Sequence, residues 1–117
     1  MTKIIDKPAF YENYGDYGKE FMSEIIQLFL SEYQKDLEEI DIAITHNNAK
    51  KLDFHAHKLK STFRNFTNPC SPGDLSYELE MMGKNNNLTN SRQIFEKLLI
   101  QTAIFISDLK EIEQEIR

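Results

Sequence analysis

Apolar residues recur at steps of three and four along most of the chain, and this spacing constrains the fold more than any other feature. The longest such stretch runs from Phe21 to Ile44, with the stripe Met22, Ile26, Leu30, Tyr33, Leu37, Ile40 and Ile44. This spacing gathers apolar side chains on one face of an α-helix. No alternation typical of β-strands persists between the polar breaks, so the predicted fold class is all-α.

Three more helices are predicted after this one. The second covers Ala49–Phe66, with the stripe Leu52, Ala56, Leu59, Phe63 and Phe66. A third, shorter helix follows a Pro-Gly break, with Asp74 as its expected N-cap and an apolar stripe that ends at Met82. The last is expected to begin near Thr89 or Asn90, and its stripe continues to Ile116.

The N-terminal stretch predicts a short helix or turn. Asp6 is a candidate N-cap, and Pro8 stands close to the first turn, where proline is tolerated. Phe10 and Tyr14 are expected to close one end of the fold. Short connections favour antiparallel neighbours, so we expect an up-down four-helix bundle over 19–117, preceded by a cap segment over 1–18, in a single domain over 1–117.

Composition excludes several function classes. A chain of 117 residues with 40% hydrophobic and 28% charged residues is typical of one globular domain. The net charge of -5 disfavours nucleic acid as a partner. The single cysteine, Cys70, excludes an internal disulfide and a cysteine-based zinc site. No apolar run is long enough for a membrane span and the start lacks a signal peptide, so a cytoplasmic location is predicted.

Two histidines stand in the segment "FHAHKLKSTFRNF" of the second predicted helix. At about 100° per residue, His57 points roughly 140° from the apolar stripe, while His55 points roughly 60° from it on the other side. Two rings that diverge so widely cannot chelate one metal ion, because helical ligand pairs need spacings of three or four. No metal site is therefore predicted, and His55 is expected at the edge of the core.

The neighbours of His57 favour phosphoryl chemistry. Asp53, Lys60, Ser61 and Arg64 share its side of the helix, and Phe54 also points outward. Positive neighbours disfavour the protonated imidazole, and a neutral ring carries a nucleophilic nitrogen. The same cations can offset the charge of a phosphoryl group on that ring. A solvated histidine on a charged face is the plain alternative.

These residues resemble the signature of histidine-containing phosphotransfer (Hpt) domains, approximately A-H-x-L-K-G-x-x-x-x-[LF]. Ala56, His57, Leu59 and Lys60 match it, and Asn65 and Phe66 fit its continuation. Downstream, "LSYELEMMGK" resembles the following helix of the family, with Leu79, Glu80, Gly83 and Lys84 in the expected pattern. The resemblance extends from about Phe21 to the C-terminus and includes the four-helix layout.

The resemblance implies a phosphocarrier without kinase activity of its own. His57 would be the phosphoacceptor and Lys60 would stabilise the phosphoryl group. The partners would be a response-regulator receiver domain, a hybrid sensor kinase, or both. No cofactor is expected on this chain, because the receiver supplies the Mg²⁺ and the acidic pocket.

The sequence departs from the family pattern at two glycines, which are replaced by Ser61 and Thr67. Serine is still small, so we expect a receiver to approach His57. The predicted docking residues are Phe54, Ser61, Arg64, Asp53 and Lys58. Basic residues concentrate on this helix (Lys50, Lys51, Lys58, Lys60 and Arg64), which predicts a docking face suited to an acidic receiver pocket.

Two other function classes remain open. A helical adaptor could bind a receiver or another signalling protein without carrying phosphate. A hydrolase would need Ser61, His57 and Asp53 as a triad on an exposed helix face, without a pocket or oxyanion donors, which disfavours it. The apolar stripe near the C-terminus is expected to pack on its own bundle, so a monomer is predicted.

Overall fold

The computed structural model describes residues 3–117. They form five α-helices: α1 (Lys7–Tyr14), α2 (Lys19–Thr45), α3 (Ala49–Phe66), α4 (Ser71–Lys84) and α5 (Ser91–Glu115). A 3-10 turn at Gly15–Tyr17 joins the first two, and no strand occurs in this part of the chain. None of these helices is long and apolar enough to cross a membrane. The predicted all-α class is confirmed.

The four long helices enclose one apolar core. Helix α2 packs against α3 and α5, and α4 packs against the same two helices. The core centres on aromatic and branched side chains that are fully buried, among them Ile26, Ile40, Leu52, Phe63, Leu79, Leu98 and Phe105. These lie on the faces that the apolar spacing indicates.

Polar side chains cap the starts of two helices, one of them at the predicted residue Asp6. The Asp6 side chain accepts a hydrogen bond from the Ala9 N–H at 3.1 Å, and Pro8 stands in the first turn of α1. Asn48 caps α3 in the same way, accepting from the Lys51 N–H. Helix α3 has the predicted bounds, and Phe10 of α1 is buried at the end of the core.

The start of α4 differs from the prediction. The helix begins at Ser71 after Cys70, three residues before the expected cap at Asp74. Pro72 stands in the first turn, where its missing N–H costs no helical hydrogen bond, so the Pro-Gly pair does not mark a loop here. Asp74 lies in that first turn and forms an ion pair with Arg64 of α3.

Gly83 allows α3 and α4 to approach closely. A Cβ atom at this position would lie 2.6 Å from the Ala49 carbonyl oxygen and 2.7 Å from the Asp53 amide nitrogen. Both are backbone atoms of α3, which cannot move without shifting the helix. The absence of a side chain therefore sets the distance between the two helices one turn away from Glu80.

The segment before α1 is tied to the C-terminal half of α5. The buried Asp108 carboxylate accepts from the backbone N–H groups of Ile4 and Ile5, at 2.6 and 3.0 Å. Lys7 forms ion pairs with Glu111 and Glu115. The N-terminal segment thus adds both apolar and polar contacts to one end of the helix assembly.

Candidate functional site

His57 lies on the side of α3 that faces α4, and its ring is held at one nitrogen. Nδ1 lies 2.9 Å from Oε2 of Glu80. A carboxylate can only accept, so Nδ1 carries a proton, and in the neutral ring Nε2 has the free lone pair. The His57 side chain is 58% exposed, whereas that of Glu80 is 4% exposed. A buried carboxylate thus orients an accessible imidazole.

Two lysines surround the same carboxylate. The Lys60 ammonium lies 2.7 Å from Oε1 of Glu80, and that of Lys84 lies 3.6 Å from Oε2. Burial raises the pKa of Glu80, but the contacts with Lys60 and His57 more than compensate, and the pKa lies below its ordinary value of 4.5. Glu80 is therefore ionised at neutral pH and can balance positive charge on the ring of His57.

The contact of His57 with Glu80 was not predicted from the sequence. The neighbours expected around the ring lie on α3 itself, whereas its closest charged partner is an acid on α4. Glu80 stood in the sequence pattern of the family resemblance, which was the available signal. Its contact with His57 depends on the register between two helices, which residue spacing within one helix does not reveal.

His55 lies on the other side of α3, against α2. Its Nδ1 is 3.1 Å from Oδ1 of the buried Asp36, and its Nε2 is 4.0 Å from a Glu39 oxygen. The side chain is only 18% exposed. The predicted position at the core edge is confirmed, and both ring nitrogens face carboxylates of α2.

Ion pairs already occupy most of the predicted docking residues. Asp53 is paired with Lys84 at 3.1 Å, Lys58 lies 3.5 Å from Asp36, and Arg64 is paired with Asp74. Since the Nδ1 of His57 contacts Glu80 and Asp53 is held by a lysine, the structure does not form the triad of Ser61, His57 and Asp53. Ser61 itself is exposed on α3.

The basic character of α3 is largely neutralised by its neighbours. Four of its five basic side chains have an acidic partner on α2 or α4: Lys51 with Glu39, Lys58 with Asp36, Lys60 with Glu80, and Arg64 with Asp74. Within the described residues, Lys50 is the member of this group without such a pair. The helix therefore presents less free positive charge than its sequence suggests.

Phe54 stands beside His57 as an exposed aromatic side chain. It is 65% exposed and lies edge-on to the His55 ring, 5.0 Å between centroids. Together with His57 it lines a shallow surface depression, whose other lining residues are Lys50, Asp53, Lys58 and Lys84. The accessible imidazole therefore opens into a depression with one apolar wall and several charged ones.

The sequence model of the Hpt domain family matches residues 24–116, nearly the whole chain. This chain belongs to the Hpt domain family. The match includes both His57 and Glu80 and most of α2, whereas α1 lies before it. No curated protein and no solved structure matches the chain.

Hpt domains are phosphocarrier modules of two-component signalling. They act with receiver domains and kinases and are not kinases themselves. The all-helical fold of this chain agrees with that class. Family membership does not by itself say which atom carries the phosphoryl group, and the geometry around His57 bears on that question.

Proposed function

We propose that this Hpt domain carries a phosphoryl group on Nε2 of His57 and exchanges it with the aspartate of a receiver domain. The observation that supports this most is the contact between His57 and Glu80. Because the Glu80 carboxylate accepts, its 2.9 Å contact favours a proton on Nδ1, and the described residues offer no hydrogen-bond partner to Nε2. The nucleophilic nitrogen is the one that a partner can reach.

The transfer needs no proton to leave the ring. The Nε2 lone pair attacks phosphorus of the receiver's aspartyl phosphate, the N–P bond forms, and the P–O bond breaks to release the receiver carboxylate. Nδ1 keeps its proton, so the ring becomes cationic while Glu80 remains its counter-charge. In the reverse direction the ring leaves as neutral imidazole with the same proton on Nδ1. The Mg²⁺ for this reaction is expected on the receiver.

Lys60 supports the site by way of Glu80. Its ammonium lies against Oε1 and its side chain is largely buried. This contact keeps the carboxylate ionised and fixes its orientation toward His57. We propose that Lys60 stabilises the phosphorylated state through this contact, in addition to its general positive field.

Docking is proposed on the surface around His57. Phe54 supplies an exposed apolar contact, and Ser61 keeps the surface one turn further along α3 low enough for close approach. Asp53, Lys58 and Arg64 surround this contact as charged groups that are already paired, so they offer orientation more than net attraction. Affinity for a receiver should accordingly depend on Phe54 more than on any one charge.

The finer architecture belongs to the same proposal. We propose one domain over 1–117, an antiparallel up-down arrangement of α2 to α5, and a cytoplasmic monomer. The helix contacts support the bundle, since each of the four long helices packs against two others in a closed ring.

The test is phosphotransfer from phosphorylated receiver domains, read as acid-labile, base-stable label on the protein. His57→Gln should abolish the label, and His55→Gln, which removes the neighbouring histidine, should retain it. Label on the His57→Gln variant would refute the assignment. Absence of label on the wild type, together with receiver binding unaffected by His57→Gln, would instead favour a phosphate-independent adaptor.

A further inference from the structure

Lys84 is placed next to the phosphoacceptor ring but is held by another residue. It is the last residue of α4, and its ammonium lies 3.1 Å from Oδ1 and 3.3 Å from Oδ2 of Asp53. It also lies 3.6 Å from the Glu80 oxygen that contacts Nδ1 of His57. One carboxylate oxygen therefore separates Lys84 from the ring.

The two lysines around Glu80 differ in their freedom to move. The Lys60 side chain is 15% exposed and lies between Glu80 and the Tyr77 ring, whose centroid is 5.2 Å from its ammonium. The Lys84 side chain is 47% exposed and lines the depression into which His57 opens. Only Lys84 can swing toward a group on Nε2 without leaving a buried position.

From these contacts, and resting on the proposed function, we infer that Lys84 exchanges partners when His57 is phosphorylated. In the unphosphorylated protein Asp53 is its counterion. In the phosphorylated protein the phosphoryl oxygens take that place, and Asp53 is released to solvent. The exchange is a change of ion pairs, with no further bond made or broken.

Charge favours the exchange. A phosphoryl group carries roughly -1.5 to -2 charge at neutral pH, against -1 for Asp53, and it offers three acceptor oxygens. An exposed lysine–carboxylate pair contributes little to stability, so the Asp53 pair is given up at small cost. Asp53 stands one helical turn before His57, where its carboxylate repels the incoming phosphoryl group. The hydrogen bond to Asp53 raises the pKa of Lys84, which is therefore cationic throughout the neutral range.

The experiment uses protein phosphorylated chemically with phosphoramidate, so that it does not depend on any receiver. Two quantities are measured: the half-life of the phosphohistidine, and the pKa of its phosphoryl group by ³¹P NMR titration. The proteins compared are the wild type and four variants: Lys84→Gln, Lys84→Arg, Asp53→Asn and Asp41→Asn. Asp41 is the matched control, because it pairs with Arg92 on the surface between α2 and α5, away from His57. Thermal unfolding shows that each variant is folded.

The exchange predicts opposite effects for the two partners. Lys84→Gln should shorten the half-life about two- to fivefold, the range of an exposed ion pair, and raise the phosphoryl pKa. Lys84→Arg, which keeps the positive charge, should give both quantities close to their wild-type values. Asp53→Asn should lengthen the half-life and lower the phosphoryl pKa, while Asp41→Asn should leave both unchanged.

Two results would overturn the inference. If Lys84→Gln changes neither quantity, Lys84 does not reach the phosphoryl group. If Asp53→Asn shortens the half-life as Lys84→Gln does, Asp53 positions the lysine and is not exchanged for the phosphoryl group. Chemical labelling of His57 with no labelling by any receiver would contradict the proposed function alone, because the measurements on Lys84 would remain valid.

Discussion

The two histidines of α3, two residues apart, have nearly the same immediate partners and opposite surroundings. His57 contacts Glu80 on α4 and His55 contacts Asp36 on α2, each through Nδ1 and each with a buried carboxylate. A lysine three residues further along the helix pairs with the same acid in both cases, Lys60 with Glu80 and Lys58 with Asp36. The second ring nitrogen differs. That of His55 faces another carboxylate, whereas that of His57 opens to the surface.

A histidine–carboxylate pair is therefore not what distinguishes the proposed phosphoacceptor His57 from its neighbour His55. In both pairs the carboxylate can only accept, so each Nδ1 carries a proton. Accessibility of Nε2 is the difference, and it follows from the angle at which each residue leaves α3. Four experiments test this comparison, and their expected effects decrease from the first to the last.

Removal of the two carboxylates should have different consequences. Glu80→Gln should slow phosphotransfer about tenfold or more, since hydrogen bonds to charged groups contribute roughly 1.5–3 kcal/mol and this one is needed as the ring becomes cationic. Asp36→Asn should leave the rate within about twofold and reduce stability instead. Initial rates of label transfer and denaturant unfolding measure both. Equal losses of rate in the two variants would show that the Asp36 carboxylate contributes to phosphotransfer as much as the Glu80 carboxylate does.

Gly83→Ala tests whether the spacing of α3 and α4 creates the His57 pair. The added methyl group would meet the backbone of Ala49 and Asp53, so we expect a loss of about 1–3 kcal/mol in unfolding free energy and slower transfer. Gly15→Ala is the control, because Gly15 has open space around it and ordinary right-handed backbone geometry. A Gly83→Ala protein as stable and as active as the control would contradict the close approach.

Substitution of His55 should reduce the unfolding free energy more than substitution of His57, whereas the opposite order is expected for phosphotransfer. His55→Gln removes a ring enclosed between α2 and α3 and should cost about 0.5–1.5 kcal/mol of unfolding free energy. His57→Gln removes an exposed ring and should change it by less than about 0.5 kcal/mol. Urea denaturation monitored by circular dichroism gives both values. A larger loss for His57→Gln would show that the Glu80 contact is mainly structural.

The smallest expected effect is on the pH dependence of the unfolding free energy in acid. The pKa of Glu80 is lowered in the folded protein, so its ionised form adds stability at pH values above the unfolded pKa, and this is lost as the pH falls through the folded value. Between about pH 6 and pH 3 the wild type should therefore lose stability more steeply than Glu80→Gln. The unfolding free energy of both proteins is measured by chemical denaturation at each pH. If it falls with pH at the same slope in the two proteins, the pKa of Glu80 is the same in the folded and unfolded states.

The sequence predicts those structural features that depend on a single helix. Spacing of apolar residues predicts the bounds of α3, and the capping pattern at Asp6 predicts the start of α1, because both depend on neighbours in the chain. The outward direction of His57 and the inward direction of His55 follow from the same geometry. The family resemblance adds the expectation that His57 is the phosphoacceptor.

What the sequence could not provide depends on packing between helices. The pairing of His57 with Glu80 and of Lys84 with Asp53 requires the register of α4 against α3. The neutralisation of the basic side chains of α3 requires knowing that acidic residues of two other helices lie opposite them. The start of α4 was missed because Pro72 and Gly73 read as a loop, although both are buried in its first turn.

The N-terminal segment has a consequence for how short the chain can be made. The part shared with the family begins at residue 24, yet Phe10 is fully buried and stacks on Phe66, and Asp108 depends on two N–H groups of Ile4 and Ile5. A fragment that begins at residue 24 would lack Phe10, which covers the apolar end of the core. It would also lack the two backbone N–H groups that donate to the Asp108 carboxylate. We therefore expect a fragment that begins at residue 24 to be less stable than the chain that includes the N-terminal segment.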